Sequence, residues 1–436
     1  MMDSNQIKQI PKLWPFKNIF YGWGIVATSV LVSAAQVPMY GPVLSVFVVP
    51  LHDDMGWSYT DISWAFTAGS LFGSLVSAIV GRQLDRYGAR ASVVVAGMVM
   101  TGCLIGLALM QEVWQFWGFF GLGRTAALAG INLGTSVAVG NWFIKKRGRA
   151  ISFLGMGLRS GQALYPMLII TPIIIAFSWR HAYAFLALTT IALIVIPGWL
   201  FLRRRPEDFG LKPDGEIAEA FSIETSTDSS VDDVEHSYTL AEARKTAAFW
   251  LITIATMTVV FAQTAINLHA VSSVVDRGVD ASLSGIFVFI IMGTAAVSAY
   301  GWGALMDKIH VRWATVIATI FTATSMIVIT FATTIWLAIA FAILFGLGTG
   351  GWTLAQTLLF ANYFGRRHMG AIRGLSQVMA GPVGAAGPLM AGIIRDQTES
   401  YALSFMVFFC ALLIVLMALL LARPPLKPAS TLNETP

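Results

Sequence analysis

Charge is what this sequence has least of. Asp, Glu, Lys and Arg together make up 12% of its 436 residues, against roughly 25% in an ordinary soluble domain. A surface so poor in charge could not be kept wet over a chain of this length. That excludes a soluble enzyme, a nucleic-acid binder and a disordered chain. Cysteine is nearly absent too. Cys103 and Cys410 both lie inside apolar runs, and they form neither a disulfide framework nor a metal-spacing motif. The chain has no phosphate-cradling glycine loop, no metal cluster and no nucleophile constellation. No cofactor and no enzymatic activity are expected. The polar first 20 residues, with Pro11 and Pro15, lack the short apolar core of a cleavable signal peptide.

What is present is apolar sequence, 56% of the chain. A helix needs about 20 apolar residues to cross a bilayer. Such segments fall at 21–47, 58–80, 91–110, 114–140, 150–177 and 181–202, and again at 246–272, 282–305, 314–335, 336–361, 371–394 and 401–422. That predicts twelve spans in two sets of six. The expected organisation is a tail over 1–20, a six-helix bundle over 21–202, a linker over 203–245, a second bundle over 246–422 and a tail over 423–436. Residues 216–235 are acidic and rich in Ser and Thr, a composition that reads as a disordered linker.

The net charge of +5 is unevenly distributed. The tails and the loops after even-numbered spans hold 23 of the 28 basic residues, and the loops after odd-numbered spans hold only Arg180, Arg277 and Arg395. The positive-inside rule then predicts that both termini and the linker are cytoplasmic, in a plasma or inner membrane protein.

The halves repeat. Gly81-Arg-Gln-Leu-Asp85-Arg86…Arg90 after span two matches Gly303-Ala-Leu-Met-Asp307-Lys308…Arg312 after span eight, at an offset of 222. Asn141-Trp-Phe-Ile-Lys-Lys…Ala150-Ile after span four matches Asn362-Tyr-Phe-Gly-Arg-Arg…Ala371-Ile after span ten, at an offset of 221. Repeats of this kind place a binding site between the halves, near the bilayer midplane.

Over nearly its whole length the sequence resembles the major facilitator superfamily. Gly81, Leu84, Asp85, Arg86, Gly88 and Arg90 match that family's loop motif between spans two and three. Within it, the chain resembles the branch of monocarboxylate transporters and oxalate–formate exchangers. The carrying residues are Asn141-Trp-Phe, Arg147-Gly-Arg-Ala, the Gly157…Gly161…Pro166 run, Trp179-Arg180 and the segment from Arg205 to Gly215. The resemblance implies an all-α membrane protein of twelve transmembrane helices in two pseudo-symmetric six-helix bundles, and a monomer is expected. It also implies a cytoplasmic latch of Gly81, Asp85, Arg86 and Arg90, with Asp307, Lys308 and Arg312 as a degenerate copy. A permanent loop staple is the plainer reading. The chain departs from the branch in two places. Span eight carries no acidic or basic residue, and span eleven has no central Lys, Arg373 lying near its start.

Two arginines lie inside spans. Arg124 is about 15 Å along span four from Trp114, and Arg159 about 13 Å along span five from Ala150, at 1.5 Å per residue. Neither can snorkel easily, and burying each costs at least about 2.5 kcal/mol. No acidic residue lies deep in any span to compensate, since Asp61 is near the end of span two. Backbone carbonyls, water or an anionic substrate remain as partners, and a guanidinium fork matches a carboxylate. For Arg124 the helix-pinning reading stands beside substrate contact, and an Arg in span four also resembles a motif of proton antiporters. By family architecture spans one, four, seven and ten border the cavity. Tyr40, Asn132, Gln263, Asn267 and Gln356, with Gln162 and Tyr165 of span five, therefore join the arginines as candidate substrate ligands. Gln36 is a further polar group in span one. Each alone could be helix–helix glue. His269, late in span seven, could carry a coupling proton or be an interfacial hydrogen-bonding residue.

Glycines at four-residue spacing (69/73, 102/106, 130/134 and 157/161) predict close helix approaches. Pro166 and Pro172 in span five, and Gly381-Pro382 and Gly387-Pro388 in span eleven, predict interrupted helices at matching places in the repeat. The expected function is a secondary transporter moving a small organic anion by alternating access, driven by protons or by exchange. A proton-coupled exporter of drug-like or amphipathic compounds is the alternative, and a non-transporting membrane sensor is a third reading. The expected partners are the anion, protons and the lipid bilayer, not nucleic acid.

Overall fold

The computed structural model describes residues 20–143, 146–209, 211, 238–365 and 368–423, without the side chains of 78, 82, 85–87, 147, 148 and 370. The acidic linker stretch 216–235 lies outside them. The described residues are helical, with no strand among them, and carry ten helices long and apolar enough to cross a membrane. The other two expected spans, one and four, are present but interrupted.

Span one runs as Gly22–Ala35, a 3₁₀ turn Val37–Met39 and a second helix Gly41–Met55. Pro38 and Pro42 explain the break: each lacks an N–H and crowds the carbonyl four residues back. Tyr40 between the segments is extended, at φ −106° and ψ 150°. Span two is Tyr59–Tyr87 and span three Ala89–Leu109. Gly88 divides them at φ +83°, a backbone that disfavours any side chain, and the stem of Arg204 packs where a Cβ would stand.

Span four runs as Val113–Thr125, a π-helical stretch Ala126–Asn132 and Leu133–Trp142. Span five is Arg147–Tyr165, a π stretch Pro166–Ile170 and Thr171–Ala176. Span six is Trp179–Thr190, a π stretch Ile191–Val195 and Ile196–Phe201. The second set is plainer: Ala247–Val275, Ser284–Met306, Val311–Thr330, Ile335–Phe364, Met369–Thr398 and Ala402–Leu421, spans seven to twelve. Here one expectation is corrected. Span eleven is a continuous helix with Pro382 and Pro388 inside it, whereas span five is interrupted at Pro166 as expected.

Small residues set the crossings. A Cβ on Gly157 or Gly161 of span five would strike the carbonyl oxygens of Val30 and Ala34 in span one, at 2.6 and 2.2 Å. In the second set, a Cβ on Gly387 of span eleven would stand 2.2 Å from the Phe261 carbonyl of span seven. The same crossing is thus built twice. Gly102 departs from the expected pattern, because nothing lies within 4 Å of where its Cβ would be.

The repeated Asn-aromatic-Phe motifs have matching uses. The Trp142 indole N–H donates to the Arg203 carbonyl at 3.3 Å, and the Tyr363 hydroxyl donates to the Ala422 carbonyl at 2.9 Å. Each ties the end of the fourth helix of a set to the chain leaving its sixth.

Candidate functional site

The break in span one frees backbone carbonyls in the middle of the protein, and Arg124 takes one. Its guanidinium donates to the Met39 carbonyl, donates from Nε to the Ser70 hydroxyl at 2.6 Å, and lies 3.7 Å from the centre of the Phe66 ring. It is 7% exposed. Much of the cost of burying this charge is offset inside the protein.

Arg159 is treated differently. Its partners are the Thr353 hydroxyl at 3.3 Å and the Met292 sulfur at 3.9 Å, both across the interface in the second set of spans. These are a long hydrogen bond to a neutral acceptor and a weak sulfur contact. No carboxylate among the described residues reaches either arginine: the ion pairs found are Asp54–Arg180 and Asp276–Arg395.

Both arginines line one cavity of about 210 Å³. Spans one and two contribute Tyr40, Gly41, Pro42 and Phe66, and span five contributes Leu158, Arg159 and Gln162. Thr264 and Asn267 come from span seven, so the cavity lies between the two sets. Its lining carries two positive charges and no negative one. The Tyr40 hydroxyl and Asn267 Oδ1 are buried without a hydrogen-bond partner among the described residues. The Thr264 hydroxyl donates to the Gly384 carbonyl.

Of the residues expected to meet substrate, Tyr40, Arg124, Arg159, Gln162 and Asn267 come together here. The others do not line the cavity. Gln263 lies one turn before Asn267 with its amide nitrogen buried and unpartnered, and Gln36 is buried in the same state. Tyr165 is buried, Asn132 is exposed in the π stretch of span four, and Gln356 accepts a long bond from Gln377. Sequence reasoning missed Pro42, Phe66, Leu158 and Thr264. Nothing in their residue types separates them from ordinary apolar or Thr positions.

Toward the loops that follow odd-numbered spans, the two sets are bonded together. Asp396, at the end of span eleven, accepts from the backbone N–H groups of Tyr59 and Thr60, the first residues of span two. Its neighbour Arg395 pairs with Asp276 at 2.6 Å. One turn deeper, His269 Nε2 lies 2.9 Å from the Ser63 hydroxyl and 3.0 Å from the Pro388 carbonyl, while Nδ1 lies 3.0 Å from the Tyr401 hydroxyl. A carbonyl only accepts, so Nε2 carries the proton. Ser63 directs its own hydrogen to the Tyr59 carbonyl at 2.7 Å and offers His269 a lone pair. Nδ1 is then the acceptor for Tyr401, and the neutral imidazole is fully partnered. Deeper again, the Thr67 hydroxyl donates to the Ala385 carbonyl at 2.7 Å.

The sequence profile of the Major Facilitator Superfamily matches residues 22–388 and again 274–435. The chain belongs to that superfamily. A hexuronate transporter of Bacillus subtilis is 25% identical over 426 residues, covering 90% of this chain and 93% of its own length. An MFS transporter of Aspergillus flavus, asaE, is 23% identical over 356 residues, covering 79% of this chain and 73% of its own. Among solved structures, a bacterial homologue of the lysosomal transporter Spinster, inward-facing and unoccupied, aligns with a TM-score of 0.71 at 14% identity, covering 93% and 97%. The nucleoside transporter NupG aligns with a TM-score of 0.71 at 10% identity, covering 91% and 98%. These structures share the fold.

As a Major Facilitator Superfamily member the chain is a multi-pass membrane transporter. Its expected latch is only partly visible, since the side chains of Asp85 and Arg86 lie outside the described residues. A Cβ on Gly81 would meet Leu133 Cδ2 at 3.9 Å, an ordinary van der Waals contact. Arg90 stacks on Trp199 at 4.1 Å. Arg312 donates to the Leu420 and Ala422 carbonyls at 2.9 and 3.2 Å, which ties span nine to span twelve within one bundle. Asp307 and Lys308 are exposed. Beyond the apolar run 21–47 of span one, at the exposed end of its second helix, Asp54 ties span one to span six: the Trp179 indole and Arg180 donate to it at 2.9 and 2.8 Å. Those two bonds hold its carboxyl below the usual carboxylate range.

Proposed function

We propose that the protein is a secondary transporter of a small organic anion, with Arg159 receiving the carboxylate in the cavity between the bundles. The observation that supports this best is the unequal treatment of two intramembrane cations, Arg124 buried and Arg159 partly exposed. Arg124 is compensated by a carbonyl, a hydroxyl and a ring, while Arg159 has only Thr353 and Met292 among the described residues. A carboxylate at Arg159 replaces weak contacts by a charge-assisted fork. The cavity of about 210 Å³ is below the ~300–1,000 Å³ of sites for drug-sized ligands, which favours a small anion over the amphipathic-compound alternative. The substrate of the Bacillus subtilis relative, a hexuronate, is also an organic anion.

The bonds of Asp396, His269 and Thr67 join the bundles toward the odd-numbered loops, which supports reading this as a state closed on that side. By the distribution of basic residues that side is the outside, with both termini cytoplasmic in a plasma or inner membrane. Arg159 bonds to the second bundle through Met292 and Thr353, and an anion drawing it into the cavity changes the contacts between bundles. A ligand biases alternating access only through such a difference between states. The energy source in this reading is a proton gradient or counter-exchange, acting on a monomer of two bundles joined by the linker.

The test is thermal stabilisation of the purified protein by short mono- and dicarboxylates, neutral sugars and lipophilic cations, followed by uptake into proteoliposomes. Carboxylates are expected to stabilise the wild type, and Arg159→Gln to weaken their binding by about 2–3 kcal/mol, roughly 30- to 150-fold. Stabilisation by lipophilic compounds alone, or an Arg159→Gln protein that responds like wild type, sinks the anion reading.

A further inference from the structure

Resting on the reading that Arg159 receives a carboxylate, we infer that the substrate is a hydroxylated carboxylate and that Asn267 is the residue that selects its hydroxyl groups. A carboxylate alone uses only part of this cavity's polar lining. It is an acceptor only, and the two arginines, which are donors only, suffice for it. The remaining polar lining asks for something else. Asn267 Oδ1 is an acceptor, buried, with no donor among the described residues. Whichever way its amide is turned, one acceptor atom is present. Gln162, 6% exposed, carries a second such amide in the same lining. The Tyr40 hydroxyl, also buried and unpartnered, can give or receive. The Thr264 hydrogen is directed at backbone carbonyls, with those of Val260, Phe261 and Gly384 in reach, so toward a ligand its oxygen can only accept.

A buried polar atom left unpaired costs about 1–3 kcal/mol. A group of acceptors beside two cations is therefore matched by a ligand with one anionic end and O–H donors along the rest. A hydroxyl-free fatty or dicarboxylic acid leaves Asn267 Oδ1 unpaired. A neutral polyol leaves Arg159 with its weak contacts. Placement of the two ends also matters for transport. Arg159 belongs to the first bundle and Asn267 to the second, so such a ligand touches both and registers their relative movement.

The experiment measures equilibrium binding to the purified full-length protein with matched probes: butyrate against 3-hydroxybutyrate, hexanoate against gluconate, and glucose as the neutral control. Wild type, Asn267→Leu and Arg159→Gln are compared. The hydroxy acids are expected to bind at least about tenfold more tightly than their hydroxyl-free partners, the scale of one unpaired acceptor. Asn267→Leu, similar in size but without an acceptor, is expected to bring the ratio to within about twofold while binding still depends on Arg159. Equal binding of hydroxylated and hydroxyl-free acids to wild type overturns the inference, as does a ratio unchanged in Asn267→Leu. The wild-type ratio needs no variant, so it decides even where Asn267→Leu does not fold. A different pattern sinks the underlying anion reading: glucose binding as tightly as gluconate with Arg159→Gln without effect, or no acid binding at all.

Discussion

The Asp396 carboxylate caps span two from the opposite bundle, accepting from the Tyr59 N–H at 3.0 Å and the Thr60 N–H at 2.8 Å. Span two already has its own capping box, in which Ser58 and Asp61 bond each other's backbone N–H groups. The contribution of Asp396 therefore depends on the bundles being together. An N-cap is worth about 1 kcal/mol, which is roughly a fivefold bias toward the closed state. Asp396→Ala is expected to raise the separated population by about that factor. Spin labels at Asp53 and Glu399, in a Cys103→Ala, Cys410→Ala background, measure it as a distance distribution. An unchanged distribution would mean that the contact is incidental to closure.

His269 meets Ser63, Pro388 and Tyr401 in its neutral form, and every hydrogen bond it can make is made. Its geometry fits a structural hinge point between bundles better than a proton carrier. His269→Gln is expected to slow transport, because the Ser63–Pro388 bridge is lost, while the shape of the pH–rate profile stays the same. Disappearance of a transition near pH 6–7 in the variant would restore the coupling role.

The two intramembrane arginines are expected to separate cleanly by stability. Arg124→Gln leaves the Met39 carbonyl without its donor and removes the Phe66 contact, a loss of about 2–3 kcal/mol. Arg159→Gln removes an under-compensated charge and is expected to leave unfolding unchanged or shift it upward. Thermal unfolding of the two ligand-free variants checks this. Equal destabilisation by both would make Arg159 a second structural pin.

Asp54, at the exposed end of span one beyond its apolar run, supplies a pH test. Trp179 and Arg180 hold its carboxyl below the ordinary value. A depressed value stabilises the fold above the ordinary carboxylate pKa, and that stabilisation is lost as pH falls through the depressed one. The pair is substantially exposed, at 38% and 53% of the side chains, so about 0.5–1 kcal/mol is at stake. Asp54→Asn is expected to lower the unfolding temperature at pH 7 and to converge with wild type in acid. A gap that persists at pH 3 would assign the effect to packing.

Most of the fold was legible because bilayer length, basic loops and an internal repeat are one-dimensional signals. Spans one and four were legible as apolar runs but not as interrupted helices. Apolar content carries no record of where a helix is cut, and Pro38 and Pro42 lie in a run that reads as continuous. The cavity was half legible. Arg124, Arg159 and the amides announce themselves as polar groups in apolar sequence, whereas Phe66 and Thr264 acquire their place only through packing. The closure was least legible. Asp276, Arg395 and Asp396 look like ordinary loop charges, and only the approach of span eleven to span two, where a Cβ on Gly392 would come within 2.8 Å of the Tyr59 carbonyl, brings them into one cluster.

The paired clamps at the ends of the two sets have a consequence for how the chain is made. The Trp142 bond to Arg203 closes as soon as the first linker residue is made, and the Tyr363 bond to Ala422 closes within residues made after the linker. The crossings of span five on one and span eleven on seven are likewise complete inside each set. Assembly can therefore proceed in two instalments at the translocon, the first finished while the second is still on the ribosome. Severing the gene within the linker and expressing the two pieces together would then yield a working transporter, with the gap falling where the chain asks least of continuity.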